Sequence, residues 1–477
     1  MAPPALATDD DRIQRIFGKQ QANRAAVRRA TAGERAAKLE RLRDAIRARA
    51  PAIRQAMFDD FRKSATEVDI TEIYASIVEI KDAIHNVHAW MRPRRVPTPL
   101  SLAGTRSAVH YEPKGVVLII GPWNYPFQLC IAPLVAAIAA GNCAIVKPSE
   151  LTPHTSALLA ELIAAVFDES EVAVVEGDAT AAGALLALPF DHFFFTGSTR
   201  VGRIVAEAAA RHLASSTLEL GGKSPAVVDD SADLRVAARR ITWGKFVNAG
   251  QTCIAPDYVL VSERRRDELV GELRRAIAEL YGATEAARKR SPDLCRVIDD
   301  RNFARLQRLL DETVARGAHV EIGGETDAAE RYIAPTVLTG VAPDAPVMGE
   351  EIFGPILPIL TYQALDEVAP FITARDKPLA LYVFGEDRAR VDSIIDATTA
   401  GGTCVNNTVI HFANPNLPFG GVGPSGSGNY HGSYGFRAFS HERAVLRQGR
   451  VDMLKTVYPP YGPKVARMLA WMFKLFA

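Results

Sequence analysis

The chain has 477 residues, a formal net charge of +1 and 48% hydrophobic residues, enough apolar material for a large core divided over two or three domains. A near-neutral balance provides no electrostatic footprint for a nucleic-acid partner. Five cysteines (Cys130, Cys143, Cys253, Cys295 and Cys404) are odd in number and widely scattered, which excludes a disulfide framework and suits a reducing cytoplasm. Residues 1–8 lack the basic and apolar regions of a signal peptide, and no run of about 18 apolar residues is present to span a membrane.

The first ninety residues read as helices. Thr31 and Glu34 form a capping box, and Leu39, Leu42 and Ile46 follow at helical spacing. Pro51 suits the first turn of a second helix that shows Ile53, Met57 and Phe61 on one side. In a third helix Ile70, Ile73, Ile77, Ile80, Ile84, Val87 and Met91 step by three and four, a stripe expected to face a core. Arginines between 24 and 54 alternate with acids and read as solvated faces. His85 and His88 stand one turn apart, but no carboxylate or thiol completes a site, so no metal is expected.

Residues 91–111 are rich in Pro and Arg and read as a linker or arm. The period then changes. Run 115–120 is short and continuously apolar, as in a strand buried on both faces. Helix 127–140, strand 144–147, helix 155–167, strand 172–175, helix 179–186, strand 192–195, helix 201–213 and strand 216–220 follow. This rhythm predicts an α/β fold with a parallel, doubly wound sheet, whose ligands sit at the carboxyl ends of the strands. A second α/β block covers about 222–420, with strands at 226–228 and 258–261, a helix at 266–280, and strands near Val320, Val337, Ile359, Leu381 and Gly402. A glycine-dense segment, 418–432, contains Phe419, Tyr430 and His431 and is expected to be an ordered loop. In the tail, Val465, Met468, Leu469, Met472, Phe473 and Phe476 share one helical face. Lys464, Arg467, Trp471 and Lys474 lie on the other. That helix is too short to span a bilayer; it suits docking on the protein body or a partner subunit, peripheral membrane contact, or gating of a pocket.

Four stretches carry chemistry. Cys253 follows the small-residue turn Asn248, Ala249, Gly250 and is stopped by Pro256. This reads as a thiol at the mouth of a helix, where free backbone N–H groups lower its pKa and hold an oxyanion. Pro122-Trp123-Asn124-Tyr125-Pro126 follows a buried strand, so the Asn124 amide is placed to donate to an oxyanion without titrating. Gly197, Ser198, Thr199 and Gly202 form a glycine-bearing turn at a helix N-terminus, suited to a pyrophosphate. Glu219 ends an apolar strand before Leu220, Gly221 and Gly222, where desolvation raises a carboxylate towards a useful base.

In this order, from about Arg24 to Leu446, these stretches resemble the NAD(P)-dependent aldehyde dehydrogenase superfamily. Tyr125 in the Pro-Trp-Asn-Tyr-Pro motif, the Tyr430-His431-Gly432 triplet and Phe439-Ser440-His441 are similar to the class 3 branch of fatty, aromatic and coniferyl aldehyde dehydrogenases. The resemblance implies a Rossmann-like NAD(P)-binding domain (1–92 and 114–221), a catalytic domain (222–422), an oligomerisation arm (93–113 and 433–450) and a C-terminal tail (451–477). It implies Cys253 as nucleophile, Asn124 and the Cys253 N–H as oxyanion donors, and Glu219 as the base that activates hydrolytic water. Glu351 and Phe353 would meet the ribose and nicotinamide. Lys147 and Glu150 would meet the adenosine ribose, and Trp123, Gly197, Ser198, Thr199, Gly202, Leu220 and Gly221 would complete the cofactor site. A carboxylate such as Glu150 near a ribose hydroxyl favours NAD over NADP, although class 3 members often accept both. A homodimer is implied as well.

Tyr125, Gln128 and Leu129, with His411 and Phe412 at the mouth, are expected to line the approach to the thiol. No arginine recurs there to anchor a carboxylate, which points to an apolar aliphatic or aromatic aldehyde. A coenzyme A-acylating dehydrogenase and a cofactor-independent cysteine hydrolase or acyltransferase are the alternatives. Glu219 argues against the first and the Gly197–Gly202 turn against the second.

Overall fold

The computed structural model describes residues 10–450, 452 and 458–476. The 1–8 stretch and the Phe476 side chain lie outside the described residues.

Helices Asp10–Arg28, Ala32–Ala48, Ala50–Phe61 and Ala75–Trp90 open the chain. The capping box at Thr31 is present in full, with the Thr31 side chain accepting from Glu34 N and the Glu34 carboxylate accepting from Thr31 N at 2.7 Å. The third apolar stripe does not run straight. Residues Asp69–Tyr74 adopt a π-helical turn, which adds a residue to the turn and shifts the side chains that follow. Ile73 and Ile80 remain buried, but Ile70, expected in the core, is 58% exposed.

A six-stranded sheet forms the first α/β unit. Its strands run, in spatial order, Gly426–Ser427, Ser215–Glu219, His192–Thr196, Val116–Ile120, Cys143–Lys147 and Val172–Val174. All pairings are parallel except that of the two-residue edge strand. Every residue of Val116–Ile120 and Cys143–Lys147 is buried, the mark of strands covered by helices on both faces. The chain builds outward from Val116–Ile120 in one direction, then returns to add His192–Thr196 on its other side. The switch point therefore lies between these two strands, where doubly wound sheets bind ligands.

The second sheet has seven strands in the order His319–Ile322, Thr336–Thr339, Ile356–Tyr362, Tyr258–Ser262, Pro225–Val228, Ala380–Phe384 and Gly402–Val405. Only the first is antiparallel to its neighbour. A separate antiparallel sheet joins Arg94–Val96, Thr105–Pro113 and Ser440–Gln448. The glycine-dense segment is ordered because its backbones nearly touch: a β-carbon on Gly421 would stand 1.9 Å from the Ser425 carbonyl oxygen. It returns the chain to the first sheet through Gly426–Ser427. The tail helix Pro463–Phe476 leaves Leu469, Trp471 and Phe473 exposed. Among the described residues, no helix is long and apolar enough to cross a membrane.

Candidate active site

The two sheets face the site with opposite ends of their strands. The first contributes carboxyl ends: Asn124 lies beyond Val116–Ile120, Gly197 beyond His192–Thr196, and Glu219 closes Ser215–Glu219. The second contributes amino ends: Cys253 precedes Tyr258–Ser262, and Glu351 and Phe353 precede Ile356–Tyr362. The rule that ligands sit at strand carboxyl ends therefore holds for the first unit only.

Cys253 does not stand at a helix mouth, contrary to expectation. Helix Leu234–Phe246 ends before it, and the chain turns through Asn248 and Ala249, both left-handed with φ of 53° and 51°. Gly250 follows at φ 75°, where a β-carbon would meet the Gly354 carbonyl oxygen at 2.3 Å. The thiol's pKa also moves the other way. Burial, then the Glu351 and Glu219 carboxylates, hold it well above its ordinary value, while the backbone N–H groups of Cys253 and Ile254 pull it down. With no helix dipole aimed at the sulfur, desolvation wins.

The turn is anchored by amides. Asn248 Nδ2 donates to the Asn124 carbonyl oxygen at 2.9 Å, and Asn124 Nδ2 donates to the Gln251 carbonyl oxygen at 3.0 Å. An amide nitrogen carries two hydrogens, so Asn124 retains one beyond this contact. Behind the turn lies an ionic cluster that periodicity did not reveal. Lys63 is fully buried, with Nζ 3.1 Å from Glu72 Oε1 and 4.0 Å from the Tyr125 ring centroid. Glu67 accepts the Asn248 N–H at 3.0 Å, and Glu72 accepts the Gln128 N–H at 2.8 Å. Burial raises both carboxyls, Glu67 to about 7. Lys63→Met keeps the aliphatic stem and leaves Glu72 buried without its cation. A loss of about 3 kcal/mol in urea-denaturation stability is expected; a loss under about 1 kcal/mol would show that the cluster is not a structural anchor.

Two cavities meet at the thiol. The first, about 760 Å³ including its open mouth, is lined mainly by apolar side chains. Tyr125, Gln128, Leu129 and Phe412 line it as expected. His411 does not: its ring packs behind the wall, 6.0 Å from the Phe419 ring and 6.1 Å from Tyr382. Neither of its nitrogens has a partner among the described residues, and burial pushes its pKa down to about 4. Ile70, Trp243, Tyr430 and His431 line the cavity although the sequence had not marked them for it. The π-turn delivers Ile70.

The second cavity is a groove of about 1120 Å³ including its mouth. Trp123, Asn124, Gly197, Ser198, Thr199, Leu220, Gly221, Glu351 and Phe353 line it, joined by Asn302 and Arg305 from helix Asp300–Ala315. Ser198 caps helix Thr199–Arg211 through the Val201 N–H, so the groove opens on a helix N-terminus, where backbone N–H groups attract anionic phosphate. Gly202 lies deeper; a β-carbon there would stand 2.6 Å from Leu220. At Gly221 a β-carbon would stand 1.9 Å from Glu351 Oε2, so only glycine leaves the carboxylate its place. Phe353 holds φ 48° and meets Trp123 edge to face at 5.2 Å. These features fit a dinucleotide. Lys147 and Glu150 pair with each other at 2.7 Å and do not line this groove.

Thr196, Glu219 and Cys253 line both cavities. Glu219 is 3% exposed, neither carboxylate oxygen has a partner among the described residues, and burial raises its pKa well above the usual carboxylate range. The Thr196 hydroxyl there is likewise unpartnered. Among the described residues no cluster of His, Cys, Asp and Glu is fit to hold a metal ion.

A thiol and an unpartnered carboxylate thus stand between an apolar cavity and a groove suited to a phosphate. The aldehyde dehydrogenase family model matches residues 5–445. The chain is 46% identical over 426 residues to the 4,4'-diaponeurosporen-aldehyde dehydrogenase of Staphylococcus aureus (strain NCTC 8325 / PS 47), covering 89% of this chain and 92% of that protein. It is 45% identical over 437 residues to human aldehyde dehydrogenase family 3 member B1, covering 91% and 92%. Among solved structures, Staphylococcus aureus AldH in a substrate-bound state superposes with a TM-score of 0.92 at 43% identity, covering 96% of this chain and 99% of that one. The NAD+ complex of the Bacillus cereus aldehyde dehydrogenase superposes with a TM-score of 0.84 at 26% identity, covering 92% and 89%. The chain belongs to the aldehyde dehydrogenase family, and its class 3 character is shared with the family 3 relative. It is an NAD(P)-dependent enzyme that oxidises aldehydes.

Proposed function

We propose that this enzyme oxidises apolar aldehydes, of medium or long aliphatic chain or aromatic, to the free carboxylic acid. The meeting of both cavities at Thr196, Glu219 and Cys253 carries this reading. The Cys253 thiolate attacks the aldehyde carbon and forms a thiohemiacetal. The second Asn124 amide hydrogen and the Cys253 N–H hold the oxyanion. Loss of hydride from the thiohemiacetal would leave a thioester on Cys253; the NAD or NADP that Trp123, the Gly197–Thr199 turn, Glu351 and Phe353 would hold in the groove would supply the hydride acceptor. Glu219 then draws a proton from water, which attacks the thioester and releases the acid. Glu351 and Phe353 seat the nicotinamide end of the cofactor, and Lys147 and Glu150, which stand outside the groove lining, meet its adenosine ribose where the cofactor extends past the groove. The apolar lining supports the substrate class, as does the relative named for 4,4'-diaponeurosporen-aldehyde. Release of acid with no coenzyme A present separates this reading from an acylating enzyme.

The reading extends to assembly. The arm sheet, with Leu446 half exposed, serves a homodimer interface. The tail helix, with Trp471 and Phe473 exposed, supplies peripheral membrane contact or guides lipophilic substrates.

Activity should rise with pH. Both the thiol and Glu219 act deprotonated, and both are held above their ordinary values, so the active forms grow as protons are removed. Across roughly pH 6 to 9, kcat/KM is expected to climb without a plateau below neutrality. A profile flat from the acid side would contradict these assignments.

A further inference from the structure

Resting on that reading and narrowing it, we propose that His431, held by Glu79, accepts a hydrogen bond from a hydroxyl group carried by the substrate. It thereby selects hydroxylated aldehydes over isosteres that cannot donate. His431 lines the apolar cavity. Its Nδ1 lies 2.9 Å from Glu79 Oε2, and the other Glu79 oxygen accepts the Gly432 N–H at 2.8 Å. Glu79 comes from helix Ala75–Trp90 and is 6% exposed; His431 is 5% exposed. The pair is thus built inside the protein. In the neutral imidazole, a carboxylate that receives Nδ1–H fixes the tautomer and leaves the lone pair on Nε2. Nε2 has no partner among the described residues and, unlike the nitrogens of His411, is not sealed away.

The ring is held in place. Tyr430 stacks on it at 4.1 Å and 25°, and Phe419 meets it edge-on at 5.6 Å. The backbone of His431 is left-handed, with φ 75°, a conformation that a β-carbon disfavours. Such strain persists where surrounding structure over-determines it, and it gathers at functional sites. Ile70, Leu129, Val247 and Phe412 line the same cavity, the Phe412 ring 6.5 Å from the imidazole. A substrate hydroxyl that reaches Nε2 gains a hydrogen bond in a desolvated site, and a methyl ether of the same shape does not. Neither Cys253 nor Glu219 requires this group for its own step.

The test compares kcat/KM for the three hydroxybenzaldehydes with their methoxy counterparts, with benzaldehyde and decanal as references. In the wild type one hydroxy isomer is expected to exceed its methyl ether by about tenfold. His431→Gly, which suits the backbone angle, should bring that ratio to about one. Glu79→Gln should do so differently. The amide oxygen still accepts from Gly432, while the amide nitrogen donates to Nδ1, so the proton moves to Nε2, which donates to a hydroxyl and to an ether oxygen alike and brings the ratio to about one. A merely structural role would lower all substrates together and leave the ratios alone. Equal ratios in a wild type that oxidises benzaldehyde or decanal would overturn the proposal. Failure to oxidise any aldehyde would instead overturn the reading on which it rests.

Discussion

Cys253→Ala is expected to abolish aldehyde oxidation, lowering kcat by at least about 10⁴-fold, while the variant still binds NAD or NADP. The groove that would hold the dinucleotide is built mainly from other residues, Trp123, the Gly197–Thr199 turn, Glu351 and Phe353 among them. Removing one sulfur atom therefore leaves the groove standing. The left-handed turn at Asn248 and Ala249 is held by Glu67 and Asn124, not by the thiol, so the fold tolerates the change. Residual turnover within about tenfold of wild type would mean that no covalent bond to Cys253 is needed. Loss of cofactor binding would mean that the thiol also shapes the groove.

Glu219→Gln should separate the two halves of the reaction. The carboxylate is buried, unpartnered and shared by both cavities, a position that suits a base acting on water rather than an ion pair. An amide of the same shape cannot take the proton. The variant is expected to form the thioester and release about one equivalent of reduced nicotinamide per subunit in a burst. It should then turn over about 10²–10⁴ times more slowly than wild type. Intact mass spectrometry should find the acyl group on the protein. A steady state at wild-type rate would remove Glu219 from the mechanism. A burst relieved by coenzyme A would make thiol transfer, not hydrolysis, the natural second step.

The doubly wound sheet was legible because strands covered on both faces leave no room for polar alternation. Val116–Ile120 and Cys143–Lys147 are continuous apolar runs apart from their final Lys147, and all their residues are buried. The strand-end turns at Asn124 and Gly197 were legible for the same reason, since each comes after such a run, whereas Glu219 closes the more polar strand Ser215–Glu219, whose first residue is exposed. Three features were not. A π-turn has no periodic signature, so Ile70 read as core and instead lines the substrate cavity. Lys63 and Glu72 are fully buried charges that no period marks: Lys63 lies in the connector between two helices, and its contacts with Glu72 and the Tyr125 ring appear only when the chain packs. His411 and His431 stand in comparable aromatic surroundings in the sequence. Which ring faces the cavity depends on the left-handed backbone at His431 and on Glu79, a residue 352 positions away. The thiol's raised pKa follows first from its burial and then from the approach of Glu351 and Glu219, which strand order alone did not bring to Cys253.

The most direct measurement is the absorbance of reduced nicotinamide formed by purified protein with NAD or NADP and an aldehyde series from acetaldehyde to decanal and cinnamaldehyde, without coenzyme A. Wild type is expected to reduce the cofactor and release the acid, with kcat/KM rising along the aliphatic series, and Cys253→Ala is expected to do neither. Equal reduction by the two proteins, or none by wild type with any aldehyde and either cofactor, would contradict the account.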